Sequence, residues 1–258
     1  MEKKSQISQK IKKFNFAGVC CSNVKISDVV EYIRDSLKNH NRLTITCINA
    51  HIFNLLCKDV KLLRDINDCD LVCADGMPIV WLSGLYGIKL AERCNMTDLF
   101  NEYLASAMPK HNCILVGCSK TVAQKARDKI HSISKSCNII ECISGFLEMN
   151  EYITLLEKYK NIDCIFVGMG SPKSEQFISI VKDACPNAVI WHIGGGTINF
   201  FAGELVEAPL LMRKIGMQWL HRLCMEPGKM WKRYILGNPE FLFRIINDLV
   251  KNFYRRAT

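Results

Sequence analysis

Short apolar runs alternate with segments of helical hydrophobic spacing, and this alternation is the strongest constraint on the fold. The runs predict strands at residues 43–49, 70–74, 113–117, 138–143, 163–168 and 188–193. Between them, apolar residues at helical spacing predict helices at residues 51–66, 121–133, 151–159 and 173–184. Strands and helices that alternate in this way form a mostly parallel sheet with helices on both faces. The sequence therefore predicts an α/β fold.

The composition is that of a folded protein, and we expect it to be made and kept on the cytoplasmic side. Of the 258 residues, 49% are hydrophobic and 23% are charged, which excludes a disordered chain. No run of 18 apolar residues occurs, and the lysine-rich start lacks the apolar region and cleavage site of a signal peptide. The 14 cysteines form no CxxC pair and lie mostly in apolar runs, so we interpret them as reduced hydrophobic residues rather than metal ligands.

The C-terminal segment concentrates positive charge beside aromatic residues. Residues 213–258 contain ten bases and three acids, which is +7 of the formal +9 of the chain. Pro227 and Pro239 suit the first turn of a helix, so this segment is predicted to form three short helices broken near the prolines. The apolar faces of the last two helices carry Met230, Trp231, Tyr234, Ile235, Phe241, Leu242, Ile245, Ile246, Leu249 and Phe253.

Basic amphipathic helices of this kind suit an anionic membrane surface, although helices that dock on the domain have the same pattern. The sequence therefore divides the chain into an α/β core, residues 1–207, and a helical membrane-associating appendage, residues 208–258. Deletion from Pro239 onward is expected to weaken membrane binding more than folding, because the cut falls at a predicted helix boundary.

Candidate site residues follow the predicted strands, because ligands bind beyond the carboxyl ends of the strands in such sheets. These residues are Cys47, Asn49, Asp75, Gly76, Gly168, Gly170, Ser171 and Gly195. Gly168 and Gly170 allow close approach of the backbone to a phosphate, although the same turn occurs in proteins without a ligand. Asp75 follows a buried strand, which indicates a functional carboxylate unless its side chain caps the next helix.

Two other polar features are interpreted as structural. Asp68-Cys69-Asp70 forms a D-x-D pattern, but it precedes its strand and so lies at the end opposite the predicted site. We therefore expect solvated turn residues and no metal there. His192, near the end of the last strand, is interpreted as a core or rim histidine, with contact to a ligand as the alternative.

Four segments of the chain together resemble the WecG/TagA/CpsF glycosyltransferase family. They are ADGMPIVWLSGLYG, ERCNMTDLF, GMGSPKSEQFI and FFAGELVEAPLLMRKIGMQWLHRLCMEPGKMWKRYILGNP, and the resemblance extends from about residue 16 to 242. It implies a Rossmann-like fold and an inverting, metal-independent transfer of a sugar, N-acetylmannosamine-type or another hexose. The donor would be a UDP-sugar and the acceptor a polyprenyl-diphosphate-linked sugar, in the synthesis of bacterial surface polysaccharides.

The resemblance also implies roles for particular residues. Asp75 would be the general base, and Arg222 and Arg233 of the appendage would stabilise the departing diphosphate. Substrate contacts would come from Cys47, Asn49, Gly76, Arg93, Thr97, Asp98, Gly168, Gly170, Ser171, Lys173, Gln176 and Gly195. The chain departs from the family pattern at Cys47, Ser174 and Met96, which replace a threonine, a glutamine and a glycine, and these departures leave the donor sugar open.

The remaining implications concern partners. No cofactor and no metal are expected, and the enzyme would be peripheral on the inner face of the cytoplasmic membrane, where it meets anionic lipid. The sequence leaves the oligomeric state open, a homo-oligomer included. Three other classes of protein fit part of the pattern. A nucleotide-dependent oxidoreductase would need a GxGxxG turn and a nucleic-acid-binding protein a binding motif, and this sequence has neither. A noncatalytic membrane scaffold would leave Asp75 unexplained.

Overall fold

The structure, a computed structural model, describes residues 11–159, 161–214 and 216–257. Within these ranges the strands are β1 (Lys13–Phe16), β2 (Val19–Ser22), β3 (Leu43–Ile48), β4 (Leu71–Ala74), β5 (His111–Gly117), β6 (Cys137–Ile143), β7 (Cys164–Gly168) and β8 (Val189–His192). The α-helices are α1 (Ile26–Asn39), α2 (Ala50–Leu56), α3 (Val60–Asn67), α4 (Met77–Ser83), α5 (Met96–Ala105), α6 (Lys120–Ile133), α7 (Met149–Leu156), α8 (Lys173–Ala184), α9 (Gly195–Phe201), α10 (Leu210–Lys214), α11 (Gln218–Met225), α12 (Pro227–Trp231) and α13 (Gly237–Ala257).

The central sheet confirms the predicted α/β fold. Its six strands follow the order β4-β3-β8-β7-β5-β6, and every neighbouring pair is parallel. Strands β3, β7 and β8 are buried along their whole length, as expected when helices cover both faces. Helices α1, α5, α9 and α6 contact one another in one layer, and α13, α2, α3, α8 and α7 do so in another. All six carboxyl ends therefore meet at one edge of the molecule.

One local prediction was wrong, and several elements, helices α1, α4, α5 and α9 among them, were not predicted. The helix predicted at residues 51–66 is two helices, α2 and α3, because the Asp59 side chain accepts a hydrogen bond from Leu62 N–H and starts a new helix. The antiparallel hairpin β1–β2 was not predicted at all, since its strands have only four residues each. Its turn places Ala17 and Gly18 at positive φ, and the Ser22 hydroxyl accepts a hydrogen bond from Val72 N–H of β4.

The C-terminal segment is helical, as predicted, but it does not break at Pro239. A π-helical turn, Lys232–Leu236, joins α12 to α13, and in it Gly237 N–H donates to Lys232 O, five residues back. Pro239 is the third residue of α13, and the wider π turn before it accommodates the proline ring. Pro227 does begin a helix, as predicted.

One face of α13 belongs to the core. Phe241 and Ile245 are each 1% exposed, and the Phe241 ring packs edge-on against Phe53 of α2, with centroids 5.3 Å apart. For Phe241 the structure shows the alternative, docking on the domain. Deletion from Pro239 would therefore open the core, contrary to the expectation that it affects membrane binding more than folding. The side chain of Phe253 lies outside the described residues. Within residues 11–159, 161–214 and 216–257, no helix is long and apolar enough to cross a bilayer.

Candidate active site

The Asp75 carboxylate lies between two side-chain amides just beyond β4. Asn95 Nδ2 donates to Asp75 Oδ1 at 2.8 Å, and Asn49 Nδ2 lies 3.4 Å from Asp75 Oδ2. Met96 N–H also approaches Oδ1, at 3.3 Å. Both asparagines are themselves fixed, because the Oδ1 atom of each caps a helix: Asn49 caps α2 and Asn95 caps α5. Amide donors therefore hold Oδ1 firmly, while Oδ2 has only one long contact and can accept a proton.

The sequence alternative for Asp75, a cap on the following helix, is not what the structure shows. The N-cap of α4 is Gly76, which provides no side-chain hydrogen bond. Asp75 instead binds the amino-terminal end of α5, which is distant in sequence. Met96, where the family pattern has glycine, contributes only its backbone N–H here, so this departure leaves the contact with Asp75 intact. Sequence reasoning missed Asn95, although an asparagine three residues before Asp98 is a helix-capping signal.

Arg222 of α11 reaches the glycine-rich turn after β8. Its guanidinium lies against Gly196 so closely that a Cβ at that position would overlap Nη2. Gly196 belongs to the first turn of α9, where backbone N–H groups are unpaired within the helix and the helix dipole is positive. The appendage thus adds a cation to an end of the sheet that already favours anions.

Arg233 of the π turn lies in a cleft of about 400 Å³ between the appendage and α2, together with His51. Burial, and then the positive charge of Arg233, lowers the pKa of His51 to about 4. His51 is therefore neutral at neutral pH, and the positive charge beside it is that of Arg233. Arg233 Nε is buried and has no hydrogen-bond partner among the described residues, so this guanidinium keeps a donor available for an anionic ligand.

Asp98 connects α5 to the appendage and also binds Arg93. Asp98 accepts from Arg93 at 3.0 Å through one oxygen and from Arg213 through the other. Arg213 Nη1 also donates to Glu207 at 2.6 Å, and burial raises the pKa of the Glu207 carboxyl despite that pairing. Arg213 was not among the predicted site residues. Its position five residues after Ala208-Pro209, in the block that resembles the family, was the available signal.

Thr97 is bonded to Thr197, with 2.9 Å between the two hydroxyl oxygens. Because Thr197 donates to Ile193 O at 2.7 Å, the Thr97 hydroxyl must be the donor in the bond between them. Asp98 and Thr97 thus use their polar atoms to connect α5 with α10 and α9. A direct contact with substrate would have to replace or share these bonds.

The turn after β7 has structural reasons for its glycines. A Cβ on Gly168 would overlap the Ile198 side chain of α9, and Gly170 has a φ of +81°. The amide of Met169 donates to the Ser174 hydroxyl at 3.1 Å, so it is engaged within the protein. Ser174, which replaces the family glutamine, is fully buried in that role. The first amide after Gly168 is therefore already engaged and is not free to bind a phosphate.

Lys173 is also engaged within the protein. Its Nζ donates to Leu147 O at 2.6 Å and lies 5.5 Å from the centre of the Tyr152 ring. Leu147 follows β6, and Asp75 follows β4, so the two lie at opposite edges of the sheet, five strand spacings or about 24 Å apart. In this structure Lys173 points away from Asp75.

The other predicted residues have less direct positions. Cys47 is buried in β3, and burial, followed by the charge of Asp75, raises the pKa of its thiol. A Cβ on Gly76 would lie 3.3 Å from Asn49 Cβ, which keeps the turn close to β3. Gly195 begins α9 beside Arg222, and Gln176 and Ser171 lie at the start of α8, where the Ser171 hydroxyl donates to Glu175 at 2.8 Å.

His192 is a core histidine, as the sequence analysis favoured. Its Nδ1 lies 3.0 Å from Glu175 Oε1, and both side chains are almost fully buried. Burial alone would raise the pKa of the Glu175 carboxyl, but the His192 charge and the bonds from His192 and Ser171 hold it below the ordinary value. The pair fixes the start of α8 against β8. Asp70, at the amino-terminal end of β4, accepts from the Thr44 hydroxyl at 2.8 Å, so the D-x-D pattern does lie opposite Asp75.

A parallel sheet with a carboxylate and two guanidinium groups beyond its carboxyl end is the arrangement of an α/β enzyme that acts on a phosphorylated substrate. The Glycosyl transferase WecG/TagA/CpsF family matches residues 14–255. This chain belongs to that glycosyltransferase family.

Two similar proteins carry the name N-acetylglucosaminyldiphosphoundecaprenol N-acetyl-beta-D-mannosaminyltransferase. The one from Staphylococcus aureus (strain MW2) is 28% identical over 240 residues, which cover 90% of this chain and 92% of the relative. The one from Bacillus subtilis (strain 168) is 26% identical over 229 residues, which cover 88% of each chain. The similarity therefore includes the appendage as well as the sheet.

Proposed function

We propose that this enzyme transfers an N-acetylmannosamine-type sugar from its UDP donor to a polyprenyl-diphosphate-linked N-acetylglucosamine. The two relatives are named for this acceptor and this sugar, and the UDP donor is that of the family. The observation that carries the proposal is Asp75, a carboxylate aimed from β4 by two amides with one oxygen open to a hydroxyl. Such a carboxylate takes the proton from the acceptor hydroxyl as that oxygen attacks the sugar.

The leaving diphosphate needs positive charge at the same time. Arg222 lies at the start of α9, which follows β8, and Arg233 lies beside α2, which follows β3. Because β8 and β3 are paired in the sheet, the two guanidinium groups provide this charge from neighbouring positions. Guanidinium groups bind phosphate oxygens through pairs of N–H donors, which suits a departing diphosphate. Both arginines belong to the appendage, so the site is complete only when the appendage is docked.

A direct test is incubation of the enzyme with a short polyprenyl-diphosphate-N-acetylglucosamine analogue and a panel of UDP-sugars, followed by measurement of product mass. We expect a product heavier by one N-acetylhexosamine, with UDP-N-acetylmannosamine as the best donor. Equal or better transfer from a simple hexose donor would contradict the proposed sugar. Release of free sugar without an acceptor product would contradict the transfer itself.

Transfer is expected to continue in excess EDTA. The amides of Asn49 and Asn95 donate to the Asp75 carboxylate. In the proposed reaction the arginines neutralise the diphosphate, which a metal ion would otherwise do. The measurement is the initial rate with EDTA, compared with the rate after Mg²⁺ or Mn²⁺ is added in excess over the chelator. An immediate loss of rate that either ion restores would show that the reaction needs a divalent cation.

We also propose that the outer face of α13 and the preceding π turn bind the surface of an anionic membrane. Large apolar side chains are exposed there in one continuous helical segment: Ile235, Leu236, Leu242, Phe243, Ile246 and Val250. Phe241 and Ile245 hold the opposite face of α13 in the core, so the exposed side chains are carried on a fixed helix. The face lies in the same appendage as Arg222 and Arg233, which brings the membrane-bound acceptor to the site.

Replacement of Phe243 and Ile246 by serine is expected to weaken binding to anionic vesicles by roughly 30- to 150-fold. The two side chains are 71% and 59% exposed, and their partial burial in the interface contributes about 2–3 kcal/mol. Vesicle cosedimentation measures the change, with Phe146→Ser as the matched control because Phe146 is 77% exposed beyond β6. Unchanged binding by the double variant, or an equal loss in the control, would contradict this membrane face.

A further inference from the structure

Three side chains with nitrogen or sulfur ligand atoms meet at the amino-terminal end of the sheet. His111 is the first residue of β5 and lies in register with Cys137, the first residue of β6. Cys113 follows two residues after His111. One ligand atom from each of the three residues lies within 4.8 Å of the others, and all three residues are buried. Asp75 lies at the other end of the sheet, so the proposed transfer does not use this cluster.

The orientation of His111 suits a metal ligand. Its Nδ1 lies 2.7 Å from Pro109 O, and a carbonyl oxygen only accepts, so Nδ1 carries the proton. The lone pair is therefore on Nε2, which accepts a hydrogen bond from the Tyr103 hydroxyl, so an ion bound there would displace this contact. Histidines that bind metals commonly donate their other ring N–H to a backbone carbonyl in this way.

The sulfur atoms have a spacing that fits a shared ion. Cys113 Sγ and Cys137 Sγ are 3.5 Å apart, well beyond the length of a disulfide, about 2.05 Å. Two thiolates on one tetrahedral Zn²⁺, with Zn–S bonds of about 2.3 Å, are about 3.8 Å apart. Two thiols that share a hydrogen bond have a similar spacing, so this distance does not distinguish a metal site from a thiol pair. Only a measurement of metal binding can do so.

The cluster is also connected to solvent. A cleft of about 500 Å³ opens at this end of the sheet, and His111 and Cys137 form part of its wall together with His131 and Asp163. Cys113 is fully buried and is not part of this wall, so an ion from the cleft would reach its sulfur past His111 and Cys137. A site that is inside the core but borders a cleft is accessible for loading and then protected by the surrounding strands.

We propose that His111 Nε2, Cys113 Sγ and Cys137 Sγ bind one Zn²⁺, which joins β5 to β6, with water at the fourth tetrahedral position. Nitrogen and thiolate ligands are the set that Zn²⁺ prefers, and the ion replaces the thiol protons as it binds.

The experiment uses full-length protein purified under reducing, metal-free conditions and titrated with Co²⁺, whose thiolate complexes absorb in the near-ultraviolet and visible. We expect saturation at one Co²⁺ per chain, displacement by one Zn²⁺, and a rise in Tm of about 5–10 °C at 100-fold excess over Kd. Cys137→Ser should lose the thiolate band and the Tm rise. The matched control is Cys185→Ser, since Cys185 is equally buried but lies at the end of α8, and it should keep both.

Failure of the wild-type protein to bind Co²⁺ in a thiolate complex would overturn the proposal, whatever the folding of the variants. The same conclusion follows if Cys137→Ser, shown to be folded by circular dichroism, keeps the absorption. Should Cys137→Ser not fold, His111→Gln provides the second test, and it should lower affinity while leaving a weaker two-thiolate spectrum.

Discussion

Asp75→Asn is expected to lower turnover by about 10²–10⁴-fold while the fold and donor binding remain. Asparagine has nearly the same shape, and its oxygen can still accept from Asn95 Nδ2 and Met96 N–H, so the turn after β4 is preserved. What the variant lacks is a carboxylate oxygen that can take the acceptor proton. The effect should therefore appear in kcat rather than in the KM for the UDP-sugar.

The matched control is Asp68→Asn, which changes the same chemical group just before β4, at the opposite end of the sheet. Its side chain is 65% exposed and has only a distant partner, Lys182 at 3.9 Å. We expect nearly unchanged turnover. A folded Asp75→Asn enzyme with turnover close to that of the wild type would remove Asp75 as the base, and an equal loss in Asp68→Asn would make the effect nonspecific.

Arg222→Ala is expected to lower kcat by about 10²–10³-fold, because the diphosphate would leave without its charged partner at the start of α9. Rates with a short-chain acceptor measure the chemistry apart from membrane binding. Arg127→Ala is the matched control, since Arg127 is a surface arginine of α6 that pairs with the neighbouring Asp128. The core contacts of Phe241 make this point substitution more informative than removal of the whole appendage.

Gly196→Ala offers an independent check on the same arginine. The added Cβ would overlap Arg222 Nη2 and displace the guanidinium while the charge stays in the protein. Loss of turnover in both variants would show that turnover depends on where the Arg222 guanidinium lies and not only on its presence. Full activity of Arg222→Ala would show that the appendage contributes no chemistry through this residue, even if membrane binding persists.

Much of the fold followed from local patterns in the chain. The six parallel strands could be predicted because each is a short apolar run between helical segments, and their buried faces leave a clear signal. Their carboxyl ends then identified Asp75 and Asn49 as neighbours, although they are 26 residues apart. The hairpin β1–β2 escaped because its stability comes from contacts with β4 rather than from its own four-residue strands.

The sequence did not predict which apolar side chains of the appendage lie in the core and which are exposed. Phe241 and Phe243 are two residues apart on the same apolar helix, yet one packs on Phe53 and the other is exposed. That division depends on where α2 lies, which no local pattern contains. In the same way, Lys173 and Asp98 were credible substrate contacts by position, and only the structure shows that Leu147 and two arginines already engage them.

The central claim is that Asp75 deprotonates the acceptor hydroxyl for a single displacement at the sugar carbon. The anomeric configuration of the purified product, measured by NMR, tests this claim most directly. One displacement inverts the configuration, so we predict a product opposite in configuration to the sugar in the UDP donor. A product with the configuration of the donor would require two displacements or a different path, and would contradict the role given to Asp75.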